Sequence, residues 1–319
     1  MATILFARGP APTIVKIAPT ISLEDELKGN IGIASISDTK TIVSISDTKA
    51  TSSDSKTIAN ISDTKQEVPI VVKPKLKLKI LQEIEESWGP DKVAEADPPS
   101  GWEAVFKDAK PELATLTEIL QAEEMKGGYK SFPMRRDLYR AFHLTPLEKV
   151  KVVIIGQDPY PQQLSNGQPR AVGLSFSVRS TDVVPSSLTN IYKEIKNCYP
   201  EFKVSNHGDL TKWAQQGILL LNMSLTVPPN VPDGHKKIWW GFLSKVFAAI
   251  NSKRPNTIFL LWGKNAQGVQ GMLGDKAVTL TAAHPSGQSA HKGFFGCQHF
   301  SIVNKELAKR GETPIDWQL

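Results

Sequence analysis

Residues 150–161, VKVVIIGQDPYP, constrain the fold of this chain more than any other stretch. The first part is rich in Val and Ile and ends at Gly156. A short apolar run bounded by glycine is typical of a strand buried on both faces of a parallel sheet. Because Pro159 restricts Asp158 to extended or turn backbone, we expect the polar residues that follow to stand on a rigid loop.

Apolar runs of this type alternate with segments of helical pattern, which predicts an α/β fold with right-handed crossovers. We predict a three-layer α/β/α domain with a central four-stranded parallel sheet. The predicted strands are 150–155, 218–221, 257–262 and 276–280. The predicted helices are 80–88, 102–125 with a break at Pro111, 132–147 ended by Pro146, 188–197 capped by Ser186 and Ser187, 209–216, 237–251 and 301–309. The insert 162–170 has a disordered pattern.

Polar groups follow each predicted strand: Asp158, Asn222, Gly263 with Lys264, and His284. Parallel strands place their carboxyl ends on one edge of a sheet, and ligands bind outside that edge. We therefore predict that a carboxylate, an amide, a Gly-Lys turn and an imidazole converge on one site. Taken alone, Asp158 could instead cap the turn that follows it.

The composition of the 319 residues is that of a globular protein. The net charge of +6 permits an anionic partner such as nucleic acid without requiring one. Cys198 and Cys297 lack CxxC spacing, which argues against a zinc site or disulfide scaffold and favours a reducing intracellular compartment. The sequence predicts no membrane span and no secretory signal. We expect a nuclear or cytoplasmic location, with an organelle as the alternative.

The N-terminal residues 1–80 differ in composition from the rest of the chain. The pentad ISDTK and one degenerate copy, SSDSK, occur at 36–40, 45–49, 52–56 and 61–65. Such polar repeats bury too little apolar surface to offset the entropy of ordering, so we predict a disordered extension before a domain of residues 81–319. A small β-solenoid is the alternative. The run KPKLKLK at 73–79 fits a linker, an edge strand, the start of a helix, a phosphate-binding arm or a nuclear localisation signal.

From about residue 132 to 319, and more faintly back to Trp88, the chain resembles the family 1 uracil-DNA glycosylases. The matching motifs are GQDPY at 156–160, GLSFS at 173–177, LLLN at 219–222, LLWG at 260–263, HPS at 284–286 and GFFGCQHF at 293–300. The resemblance implies a monofunctional hydrolase that releases uracil from DNA and leaves an abasic site, in base excision repair. It implies no metal and no cofactor.

The resemblance also implies how the site works. Asp158 would stabilise the cationic sugar and orient or deprotonate water, and a neutral His284 would donate a hydrogen bond to uracil O2. Asn222 would pair with uracil O4 and N3–H. Phe176 would stack on the base, Tyr160 would exclude the thymine methyl, and Gln157 would contribute contacts through the loop. As alternatives, His284 could cap its loop, Asn222 could cap a strand, and Phe176 could be a core aromatic.

Contacts to DNA are implied for Ser187, Gly263, Lys264, Ser286, Gln288 and Lys292. Four positions depart from the common pattern of the family: Pro161 replaces a frequent His, Lys264 stands where small polar residues are frequent, Gln288 replaces a Leu that fills the vacated base stack, and Lys292 replaces Arg. Because Gln288 is polar, we expect retained chemistry with weaker handling of duplex DNA and a preference for single strands.

Two other functions remain open at this point. The chain could be a DNA-binding accessory or processivity subunit of a replication complex, with the N-terminal extension tethering replication or repair proteins. It could also be a glycosylase for another damaged base, although related families alter the catalytic Asp or the aromatic gate, and this chain keeps Asp158 and Tyr160. We expect a monomer that acts on single- or double-stranded uracil-containing DNA.

Overall fold

The computed structural model describes residues 3–8, 11–16 and 88–319. The first two segments form strands β1 (Thr3–Arg8) and β2 (Ala11–Lys16), which pair antiparallel and were not predicted from the sequence. The ISDTK repeats, the KPKLKLK run and residues 80–87 of the first predicted helix lie outside the described residues. The domain boundary at residue 81 stays a prediction.

The central sheet contains β3 (Val152–Gly156), β4 (Ile218–Asn222), β5 (Ile258–Trp262) and β6 (Val278–Ala282). The strands lie in the order β4-β3-β5-β6, and all neighbours are parallel. Every residue of β3, β4 and β5 is buried, as expected when helices cover both faces of a sheet. The predicted fold class is therefore confirmed, although the fourth strand begins two residues later than predicted.

The helices of residues 88–319 flank this sheet. They are α1 (Pro90–Ala96), α2 (Glu103–Asp108), α3 (Lys110–Gly127), α4 (Arg140–Leu144), α5 (Ser186–Cys198), α6 (Thr211–Gln215), α7 (Trp240–Lys253), α8 (Gly263–Gln267) and α9 (His299–Lys309). Helix α1 was not predicted. The predicted break near Pro111 is found at Ala109, and the proline occupies the first turn of α3, where its missing N–H costs nothing.

The prediction of one helix over 132–147 was wrong. The segment contains a 3-10 turn at Arg135–Asp137, then α4, then a second 3-10 turn at Leu147–Lys149. The predicted stop at Pro146 is confirmed, because the proline disfavours helical backbone at Thr145, whose φ and ψ are −129° and 83°, and α4 ends there.

Two further local predictions are corrected. Helix α5 begins at Ser186 behind Pro185, and no serine side chain caps it, because Ser186 is already helical. The insert 162–170 is an ordered loop, closed by the hydrogen bond from Arg170 N–H to the Gln162 carbonyl at 2.9 Å and by Leu164 N–H to the Gln168 carbonyl at 2.8 Å.

Among the described residues, no helix is long and apolar enough to span a membrane, and no group of His, Cys, Asp or Glu forms a metal-binding cluster.

Candidate active site

A cavity of about 160 Å³ opens at the carboxyl edge of the sheet. It is smaller than the roughly 300–1,000 Å³ of pockets for drug-sized ligands, and it suits a single heterocyclic ring. The predicted site residues that line it are Gln157, Asp158, Tyr160, Phe176, Ser187, Asn222 and His284. The parallel register places the ends of β3 and β4 side by side, since Gly156 pairs with Asn222.

Asp158 follows β3 and is half-buried at the cavity. Its Oδ2 accepts a hydrogen bond from the Asp233 N–H at 2.8 Å. Burial raises the pKa of the Asp158 carboxyl above its ordinary value of 3.8, while the hydrogen bond from Asp233 acts in the opposite direction. A carboxylate with a raised pKa is a better proton acceptor than an exposed one, which suits a general base.

His284 follows β6 and presents a neutral ring to the cavity. Its Nδ1 accepts a hydrogen bond from the Ser286 N–H at 3.0 Å, so the proton of the neutral ring resides on Nε2. Burial lowers the pKa of His284 below its ordinary 6.5. Ser289 Oγ donates to the His284 carbonyl at 2.8 Å, and Asn190 Nδ2 donates to the Pro285 carbonyl at 2.9 Å. These bonds fix the loop and leave Nε2–H as a donor.

The amide of Asn222 is buried at the end of β4, and Gly156 on β3 makes room for it. A Cβ at Gly156 would lie 2.1 Å from Asn222 Oδ1 and 2.7 Å from Ser175 Cβ. Sequence reasoning used Gly156 only to mark the end of a strand. Gly156 also leaves space for the Asn222 amide. The sequence signal for this role was a glycine between an apolar strand and a polar loop, where another group often approaches the backbone closely.

Aromatic side chains form two walls of the cavity. Phe176 is buried, with a left-handed φ of 62°, and its ring packs edge-on against Trp262 at 5.6 Å. The Tyr160 hydroxyl donates to the Phe176 carbonyl at 3.4 Å, and burial raises the pKa of Tyr160 to about 12. The Arg170 guanidinium lies 5.4 Å from the centre of the Tyr160 ring. A strained backbone of this kind at Phe176 persists only where its surroundings fix it.

The predicted DNA-contacting residues divide into two groups. Ser187 lines the cavity, and the Ser286 N–H hydrogen-bonds the ring of His284. Gly263 packs directly against His284, since a Cβ at Gly263 would lie 2.9 Å from His284 Cβ. The others are exposed and do not line the cavity: Lys264, Gln288 and Lys292.

Polar contacts around the cavity mouth were missed by sequence reasoning. Gln157 Oε1 accepts a hydrogen bond from Asn265 Nδ2 at 2.7 Å, and Asn265 Oδ1 accepts one from Lys236 Nζ at 2.9 Å. Asp233, which bonds Asp158, is on the same loop as Lys236. No motif marks these residues, because each depends on a partner far away in the sequence.

Comparison with known proteins places the chain in a family. The sequence model of the Uracil DNA glycosylase superfamily matches residues 142–308. The chain is 46% identical over 222 residues to the uracil-DNA glycosylase of Escherichia coli strain K12, covering 68% of this chain and 93% of that one, and the same values hold for the enzyme of Shigella flexneri serotype 5b. The crystal structure of mimivirus uracil-DNA glycosylase superposes with a TM-score of 0.64 at 27% identity, covering 69% of this chain and 86% of that one. The chain therefore belongs to family 1 of the uracil-DNA glycosylases.

Proposed function

We propose that this uracil-DNA glycosylase hydrolyses the N-glycosidic bond of deoxyuridine in DNA, with Asp158 and His284 as its catalytic pair. The product is free uracil, and an abasic site remains in the DNA for base excision repair. The observation that supports this proposal is the meeting of a half-buried carboxylate and a neutral imidazole at one cavity of heterocycle size.

The reaction must stabilise two opposite charges. As the bond to deoxyribose breaks, the sugar becomes oxocarbenium-like and uracil leaves as an anion. Asp158 stabilises the cationic sugar and takes a proton from the water whose oxygen bonds to C1′. His284 donates its Nε2–H to uracil O2 as negative charge develops there, and this donor is preorganised because Ser286 fixes the ring tautomer.

Base selection follows from the cavity walls. Asn222 pairs with uracil O4 and N3–H, and its amide position is set by the space at Gly156. Cytosine carries a hydrogen-bond donor at position 4, where uracil carries an acceptor. Each mismatched buried group costs about 1–3 kcal/mol. Phe176 stacks on the base, and Tyr160 occupies the space that a thymine methyl would need.

The target base must leave the helix before it can enter the cavity, at a cost of a few kcal/mol in a duplex. Ser187, Gly263 and Ser286, with the exposed Lys264 and Lys292, are the proposed phosphate contacts. The exposed Gln288 is polar and therefore fills a vacated base stack poorly. We expect uracil to be released faster from single-stranded DNA than from the matched duplex. Comparing the two rates at equal, saturating DNA tests this, and a strong duplex preference would exclude it.

The decisive experiment measures uracil release from a uracil-containing oligonucleotide without added divalent metal. Asp158→Asn should lower the rate by about 10²–10⁴-fold while the fold is retained, which is the usual range for a general base. Asp275→Asn, which makes the same change at an exposed carboxylate outside the cavity, is the control and should release uracil at the wild-type rate. A folded wild-type chain that binds DNA but releases no uracil would instead favour the accessory-subunit function.

We also propose a monomeric state, an intracellular location and a partner-binding role for residues 1–80. The two cysteines without CxxC spacing support the intracellular location, and the polar repeats support the partner-binding role. Sedimentation of the purified chain tests the first.

A further inference from the structure

A loop after β4 is fixed at both of its ends. We call residues 227–236 the brace loop. At its start, Val227 exchanges two main-chain hydrogen bonds with Phe132, at 2.8 and 2.9 Å. Near its end, His235 is only 1% exposed, and its Nδ1 lies 2.9 Å from Thr226 Oγ1. A loop anchored in this way can support another loop.

The brace loop contacts the loop that carries Asp158. Asn230 N–H donates to the Pro161 carbonyl at 2.8 Å, and Asp233 N–H donates to Asp158 Oδ2 at 2.8 Å. Both donor residues have left-handed backbone, with φ of 60° and 62°. Asn and Asp adopt this backbone more readily than other non-glycine residues. The two residue types therefore suit the turns from which the brace loop donates to the Asp158 loop.

Lys236 connects the brace loop to helix α8, which follows β5. Its ammonium donates to Asn265 Oδ1 at 2.9 Å, and Asn265 in α8 donates to Gln157 Oε1 at 2.7 Å. An ammonium can only donate, so the orientation of the Asn265 amide is determined. The same ammonium lies 3.9 Å from Asp233 Oδ1. A continuous chain of polar contacts therefore runs from Gln157 to Asp158 around the cavity mouth.

We propose that Lys236 is a positioning residue for uracil release, acting on Gln157 through Asn265 and on Asp158 through Asp233. The proposal rests on the proposed function and adds to it a residue that does not line the cavity. Catalytic groups must be held within about 0.5 Å of their productive positions, and residues behind the reacting groups supply that constraint.

The adjacent Lys237 provides a matched control. It is also exposed, and among the described residues its side chain makes no hydrogen bond or ion pair. Lys236→Met and Lys237→Met remove the same charge from neighbouring positions. A simple contact with DNA phosphate would make the two variants behave alike, whereas positioning would not.

The experiment measures single-turnover uracil release at saturating single-stranded DNA over a range of pH. Lys236→Met should lower the maximal rate about tenfold, because small displacements of reacting groups are costly, and Lys236→Arg should restore most of it. Lys237→Met should keep the wild-type rate. Asn265→Ala should lose rate without a shift in the pH profile.

The pH dependence of the rate distinguishes an effect of Lys236 on Asp158 from a general loss of structure. The charged groups that face Asp158 are Asp233, which raises its pKa, and Lys236, which lowers it, while His284 and the Tyr160 phenol are neutral. Removing the Lys236 charge raises the pKa of Asp158, so the acid limb of the rate profile should move to higher pH in Lys236→Met only.

Wild-type rates for Lys236→Met at saturating DNA, with weaker binding equal to that of Lys237→Met, would overturn the proposal in favour of a phosphate contact. If the wild-type chain released no uracil, the proposed function would fail independently. In that case, NMR titration of the Asp158 carboxyl in the wild-type chain and in Lys236→Met still decides whether Lys236 acts on it. Identical titration curves in the two proteins would overturn the proposal.

Discussion

Gly156 shows how a residue without a side chain can set the geometry of a site. Gly156→Ala would place a Cβ 2.1 Å from Asn222 Oδ1, so the Asn222 amide must move. We expect at least a tenfold loss of uracil release and about 1–3 kcal/mol of destabilisation from overpacking. Gly271→Ala is the control, because a Cβ there meets nothing within 4 Å. Uracil release measures the activity of the two variants, and urea unfolding measures their stability. Equal activity and equal stability of the two variants would contradict this account of Gly156.

The protonation of His284 gives a pH-dependent prediction. Its folded-state pKa is lowered by burial below the 6.5 expected in the unfolded chain. Protonation therefore favours unfolding, and the stability gained from the neutral ring is lost as pH falls through the lowered pKa. Protonation of Nδ1 would also remove the acceptor for Ser286 N–H. NMR titration of the imidazole checks this, and a pKa above 6.5 would rule it out.

At the scale of elements, a buried ion pair joins the end of α3 to the 3-10 turn at Arg135–Asp137. Arg135 Nη2 lies 2.8 Å from Glu124 Oε2, and Glu124 Oε1 also accepts the Ser131 N–H at 2.6 Å. Glu124→Gln leaves the Arg135 charge buried without its partner, which should cost about 3–5 kcal/mol of unfolding free energy.

Urea denaturation measures this cost. Glu95→Gln, which breaks an exposed pair with Lys92 and Lys110, is the matched control and should change the midpoint little. Comparable effects of the two substitutions would show that burial of the Arg135 pair contributes no extra stability.

The elements that sequence predicted are those with a local signal. The apolar runs of β3, β4, β5 and β6 and the glycine or polar residue after each were sufficient to predict the sheet and the edge where Asp158, Asn222 and His284 meet. The brace loop had no such signal. Its contact from Asp233 to Asp158 joins residues 75 positions apart, and the one from Asn265 to Gln157 spans 108. At its start, the segment 132–147 departs from the predicted helix for the same reason, since Phe132 pairs with distant Val227.

At the scale of the whole molecule, the cavity and the brace loop are contained within residues 88–319. Removal of residues 1–80 should therefore leave the rate of uracil release and the unfolding midpoint unchanged. A second truncation that also removes Trp88 should lower the midpoint, because the Arg135 guanidinium lies 3.6 Å from the centre of its ring. Activity assays and thermal melts of both chains provide the measurement. Failure of the first chain to fold would contradict a boundary at residue 81.

The strand order β4-β3-β5-β6 has a consequence for synthesis of the protein on the ribosome. Among the strands of this sheet, the central strand β3 emerges first and finds its partners only when β4 and β5 follow, and the edge strand β6 comes last. A nascent chain that ends after β5 already contains Asp158 and Asn222 but lacks the imidazole of His284. Because His284 follows β6, the nascent enzyme stays inactive until translation has passed the last strand of the sheet.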